Sequence, residues 1–378
     1  MDIEHRIRVE AELADYLERV ALAIAARREP PPLPLPTDKW LAASALQKAI
    51  RRSETETAQR AAMTLLAVEK SALWRRLMLI ASEEVGAGCL DTFVTAAAIC
   101  QNAAWRSKLA QSEQLVLYLV RLLSESPKER SSEYLSLAAL HHPTLAETRR
   151  AIHSLSANQR MTVIADINQP LLTRAIAACF LIGHYGRPNT YTLRSTVQAL
   201  FGYYRDAGLP PILVSSAHLA MNRVRGPIAC LVPMIWQEAE RTGGMVITET
   251  DLPPAEHHNG IPLYALDMHT RLGKQAILRF ATECAEVRDF LASHVPPEKQ
   301  AEAACLAAYY TDGHLVRRRA LWRDTIPLEV FAIQAEMQIV GLTNTGAQAL
   351  LAVMQANAVL LDSARSELAG GRNAFTQK

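Results

Sequence analysis

Cysteine pairing is missing from this chain. Its six cysteines, Cys89, Cys100, Cys179, Cys230, Cys284 and Cys305, make no CxxC pair and no compact cluster. Zinc and iron–sulfur centres are therefore disfavoured, and reduced, mostly buried thiols are expected. The sequence also lacks a G-x-x-x-x-G-K-[ST] loop, a glycine-rich dinucleotide fingerprint, a G-x-S-x-G elbow and a paired-carboxylate motif. These absences argue against nucleotide hydrolysis by a P-loop motor and against the common hydrolase and dehydrogenase plans, so no cofactor is expected and an enzyme is the less favoured class. Long apolar runs are absent too. The most apolar stretch, 175–182, is flanked by Arg174 and His184 and is far shorter than the ~20 residues that cross a bilayer. The opening MDIEHRIRVEAELADYL has neither the basic start nor the apolar core of a signal peptide. A cytoplasmic protein with no membrane partner is expected.

Lysine is scarce, with eight against 32 arginines, while the net charge is only +2. Arginine pairs bidentately with carboxylate or phosphate, but a GC-rich genome would leave the same bias. A basic surface, if there is one, must be local.

The 378 residues are 49% hydrophobic and 21% charged, enough for a large core and, by size, two domains. Helical spacing dominates. Leu13, Leu17, Val20 and Ile24 mark an amphipathic helix that must stop at the PPPLPLP run, which is extended by nature. Leu73, Leu77 and Ile80, then Leu115, Leu119 and Leu122, repeat the same period, and prolines punctuate the segments. Only 241–261 breaks the texture, with three glycines, two prolines and the β-favouring run 245–248. The reading is an all-α, multi-helix array with one short strand or hairpin near 243–250. Its parts are an N-terminal amphipathic helix (1–29), a proline-rich linker (30–36), a helical domain (37–140), a second helical domain (141–368) and a frayed tail (369–378). No alternating βαβ series is present, which argues against a doubly wound sheet.

Three segments, ASALQKAIRRS (43–53), LWRRLMLIASEEVGAG (73–88) and SPKERSSEYL (126–135), stand in an order that resembles the helical region after the ATPase module of the replication-associated recombination protein A (RarA/MgsA) family, a clamp-loader-like AAA+ family. The resemblance covers about a quarter of the chain and implies a collar-like helical first half, oligomerisation and work beside DNA. The motor itself is missing, because no P-loop is present, so the family's ATP hydrolysis transfers to no residue here. By spacing, Leu73, Leu77, Ile80 and Glu84 share one helix face. Gly86 or Gly88 suits the helix end. Ser126 and Pro127 read as the N-cap and first turn of the next helix, with Lys128 and Arg130 either solvated or on phosphate.

Two regions are candidates for chemistry. Between His141 and Ile235 stand nine arginines and three acids, interleaved with aromatics in HYGRPNTYTLR and FGYYR. Tyrosines beside arginines suit stacking on unpaired bases with phosphate pairing. Arg187, Arg194, Arg205, Arg223 and Arg225 are the candidate contacts, unless they scatter over several helices. The second region, His257 to Lys274, carries Tyr264, Asp267, His269, Thr270, Arg271 and Lys274. It has no HExxH spacing, which disfavours metal. If Thr270 caps a helix, Arg271 and Lys274 fall in a first turn suited to an anion. Alternatively Tyr264, Asp267, His269 and Thr270 form a polar junction that locks the helix start. Arg317, Arg318 and Arg319 read as a charge run on a helix.

Together these features suggest a non-enzymatic, DNA-associated or partner-binding accessory factor in replication, recombination or repair. The expected partners are DNA, replication or repair proteins, or further copies of the chain. The alternatives are a hydrolase or nucleotide-processing enzyme using the 257–274 region, or a purely structural oligomeric scaffold.

Overall fold

A computed structural model describes residues 3–109, 111–186, 194–224 and 226–371. The molecule is all-α: helices follow one another along the described residues, and the only sheets there are two two-stranded pairs. One pairs Val246–Glu249 with Arg318–Leu321; the other is the antiparallel hairpin His257–His258 and Ile261–Pro262. Among the described residues no helix is long and apolar enough to cross a membrane.

The chain divides into two compact units, each assembled from three separate stretches. The first comprises Met1–Glu29, Trp74–Thr248 and Arg319–Ala335; the second comprises Pro30–Leu73, Glu249–Arg318 and Glu336–Lys378. The expected division at 140/141 falls inside the first unit, and much of the expected tail, 372–378, lies outside the described residues.

In the first unit the Ile3–Ala26 and Pro211–Val224 helices pack on Leu90–Gln101, while Leu171–Leu181 and Ile228–Arg241 pack on Ser131–His141. The helical spacing explains this: Leu77, Ile80, Leu119, Leu135, Ile176, Leu213 and Ile235 are all buried. In the second unit Lys39–Arg51 packs on Thr55–Val68, and Arg271–Glu283 packs on Ala358–Gly371 and Gln300–Ala308. The proline-rich run is extended, but it is also anchored. Leu35 is buried, and its carbonyl accepts the Thr64 hydroxyl at 3.0 Å.

Two local expectations are corrected. Ser126 ends a helix instead of starting one: its N–H closes on the Leu122 carbonyl at 3.1 Å, and the next helix begins only at Ser131. Proline at 127 bars helical geometry at Ser126, so the chain runs on extended and Lys128 bridges Arg319 as a strand would. The arginine run is not helical either, because Arg318 and Arg319 belong to the Arg318–Leu321 strand.

Candidate functional site

In the first unit, two of the three resembling segments interlock. The Lys70–Ile80 helix widens into a π-helical turn over Ala81–Val85, a feature that often accompanies functional or strained positions. The Glu84 carbonyl at this turn accepts the Glu129 N–H at 2.8 Å, and the Ser82 carbonyl accepts the Ser132 hydroxyl at 3.3 Å. Gly88 is required by close approach: a Cβ there would stand 2.7 Å from the Glu129 Cβ and 3.1 Å from the Ala320 Cβ. Across this junction Arg130 Nε lies 3.2 Å from Glu84 Oε2, with the two side chains 2% and 0% exposed. Arg130 also reaches Glu133 and the Tyr134 hydroxyl, and Tyr134 donates to Glu329 at 3.0 Å. Trp322 Nε1 donates to Ser131 Oγ at 2.9 Å. Lys128 is likewise buried, its ammonium donating to the Ser124 carbonyl at 2.9 Å. Burial pushes the Glu129 carboxyl up to about 7, although a hydrogen bond from Ser131 and the charge of Arg319 oppose the rise. Lys128 and Arg130 therefore spend their charge inside the unit and are closed to phosphate.

The second unit holds a comparable network that reaches the surface. Ser44 and Lys48 sit one turn apart on Lys39–Arg51 and face inward. Lys48 Nζ lies 2.7 Å from Asp267 Oδ2 and donates to Ser44 Oγ at 2.6 Å, while Ser44 donates to the Ala265 carbonyl at 2.8 Å. Asp267 is fully buried. Burial alone would raise its pKa, but the Lys48 charge and the His269 hydrogen bond hold it well below the usual carboxylate range. Burial lowers the Lys48 pKa, with the Asp267 charge working against it.

The other side of Asp267 orients His269: Oδ2 lies 2.7 Å from His269 Nδ1, and Oδ1 accepts the His269 N–H at 3.0 Å. The imidazole is 62% exposed. Thr270 then caps Arg271–Glu283, its Oγ1 accepting the Gly273 N–H at 3.1 Å. Only glycine fits at 273, because a Cβ would fall 2.2 Å from the Asp267 nitrogen and 2.3 Å from its carbonyl oxygen. The 266–267 backbone is thereby pressed onto the helix start.

A cleft of about 360 Å³ opens at this point. Asp38, Trp40 and Leu41 line it from the start of one helix, and His269, Thr270, Arg271 and Leu272 from the start of another. Asp38 is occupied in capping, accepting the Trp40 and Leu41 N–H groups at 3.0 Å each. Trp40 is 64% exposed and Arg271 is also exposed.

No protein-family model, curated protein or solved structure matches the chain. The functional reading therefore rests on the residues themselves.

Of the polar junction, Asp267, His269 and Thr270 come together as described. Tyr264 instead donates to Glu54 at 2.6 Å and carries Arg52 over its ring at 4.9 Å. Arg271 enters the cleft; Lys274 is exposed one turn further along the same helix and is not part of the cleft lining. Arg205 and Arg223 are half-buried on Arg194–Asp206 and Pro211–Val224 in the first unit. Arg187 and Arg225 lie outside the described residues, as does the Arg194 side chain. Other members of the basic stretch are committed to the fold. Arg149 closes the Ala139 and His142 carbonyls, Arg160 those of Ile152, His153 and Phe180, and buried Arg174 pairs with Glu238. Sequence reasoning missed Trp40, Ser44 and Lys48. The i, i+4 spacing of Ser44 and Lys48 on an otherwise apolar face was the signal that could have found the last two. Among the described residues no group of three metal-ligating side chains occurs.

Proposed function

We propose that the chain is a nucleic-acid-associated accessory factor in replication, recombination or repair, and that its contact with nucleic acid is the cleft of the second unit. The supporting observation is the exposed Trp40 ring sharing a cleft with Arg271 and His269. An aromatic face and a basic fork together serve a base and its phosphate. A fluorescein-labelled oligo(dT) strand, followed by anisotropy across a salt series, tests the reading. Binding that weakens steeply with salt and is lost in Arg271→Gln supports it; no binding at low salt overturns it.

The Asp267 and His269 pair favours one second reading. An imidazole oriented by a buried carboxylate is the arrangement of a general base, which suits the nucleotide-processing alternative with water as nucleophile, since the Ser44 hydroxyl is buried and bonded to Ala265. Turnover of a nucleotide phosphoester that disappears in His269→Ala distinguishes this reading from binding alone.

A further inference from the structure

We propose that the cleft holds one nucleotide of an unpaired strand, with its base against Trp40 and its phosphate between Arg271 and a protonated His269. Binding then tightens when the imidazole takes up its second proton. This deepens the nucleic-acid reading above and depends on it.

Asp267 is ionised and can only accept, so the hydrogen bond at 2.7 Å fixes a proton on Nδ1. In the neutral ring Nε2 is then a lone pair, which repels a phosphate oxygen. Only the imidazolium presents an N–H there. The tautomer imposed by the buried carboxylate thus makes the imidazole a phosphate ligand in one protonation state and not in the other.

The surroundings leave that switch intact. Behind the ring, the Asp267 charge is balanced by Lys48 at 2.7 Å. Arg51, on the same helix as Lys48, donates to the Tyr309 hydroxyl at 3.0 Å and to the Gly313 carbonyl. Tyr309 meets the imidazole edge-on, with centroids 5.7 Å apart. Asp38 is the one carboxylate lining the cleft, and its oxygen serves the Trp40 and Leu41 amides. Arg271 supplies a permanent cation. The Trp40 ring is steadied by Lys39, whose ammonium lies 5.2 Å from its centroid and is paired with Glu69 at 2.8 Å. A volume of about 360 Å³ is within the range of clefts that hold one small ligand.

The test uses the full chain and fluorescein-labelled oligo(dT) at fixed ionic strength, from pH 8 to pH 5.5. The wild type is expected to gain roughly tenfold in affinity over that range. His269→Asn should bind with one affinity across the whole pH range, Trp40→Ala should weaken binding at every pH, and an abasic strand should bind the wild type as weakly as dT binds Trp40→Ala. Far-ultraviolet circular dichroism confirms that each variant is folded. A pH response that survives in His269→Asn, or unchanged binding in Trp40→Ala and Arg271→Gln, overturns the site while leaving the nucleic-acid reading standing. Absence of oligo(dT) binding at every pH overturns both.

Discussion

Each unit buries an ion pair beside a π-helical turn, yet the two pairs end differently. In the first unit, Glu84 on the Ala81–Val85 turn meets Arg130, both are shut away from solvent, and Arg130 reaches on to Glu133 and Tyr134 inside the unit. In the second, a π-helical turn over Tyr309–Gly313 contributes Asp312 to the fully buried Arg365, while Lys48 and Asp267 form a second pair whose far side touches the exposed His269. Burial of charge does not by itself mark a site. What separates the two networks is whether the last group in line faces water.

The comparison is broken most decisively by removing one charge. Arg130→Met removes the cation facing the buried Glu84 carboxylate, and a loss of about 3–5 kcal/mol in urea denaturation is expected; replacing both Glu84 and Arg130 by Met should recover most of it. Asp267→Asn strands the Lys48 ammonium with an effect in the same range, and additionally frees the His269 ring. The next effect separates the units by pH. The Glu129 carboxyl titrates at about 7 in the folded protein, above its ordinary value of 4.5. The folded state therefore holds this proton where the unfolded chain has lost it. Stability from this group is fully present below about pH 4.5, falls by roughly 3 kcal/mol at most as pH rises through 7, and is level above. Asp267 has the opposite sign: its folded pKa is depressed, so its contribution is present at neutral pH and is lost as pH falls below the ordinary carboxylate range. Denaturation at pH 5 and pH 8 should show the Glu129 slope in the wild type and not in Glu129→Gln. A smaller change, Gly88→Ala, drives a methyl into Glu129 and Ala320 and should cost about 1–3 kcal/mol. Smallest of all, Arg150→Gln removes an exposed pair with Glu147, and the midpoint should move by less than about 0.5 kcal/mol.

The helical architecture was legible because Leu73, Leu77 and Ile80 carry the helix period and are buried as that period requires. Thr270 was legible as a cap because a hydroxyl before an apolar-periodic run has few other uses. The buried charges were not. Lys128, Arg130, Glu84 and Lys48 each read locally as surface residues, since charged side chains are seldom buried. Their partners come from other elements, in the case of Lys48 a residue at position 267. Trp40 was illegible for the converse reason: it gains a role only as part of a cleft shared with His269 and Arg271, which stand far from it in sequence. Pro127 reads as a helix start because proline suits a first turn, whereas its restraint on Ser126 in fact closes the preceding helix, and the next begins only at Ser131.

The pairing of Ser131 with Trp322 and of Tyr134 with Glu329 spans 191 and 195 residues of chain. During synthesis at about 5–20 residues per second, the Ser126 to Leu135 segment therefore waits some tens of seconds for the strand and helix that close over it. Through that interval Glu84, Arg130 and Tyr134 can already meet, but the bonds from Tyr134 to Glu329 and from Trp322 to Ser131 cannot yet form. The first unit is thus completed by a stretch, Arg319–Ala335, that emerges long after the segment it covers, and a chain cut before Arg319 would leave the network around Arg130 and Tyr134 open to the cell's proteases and chaperones.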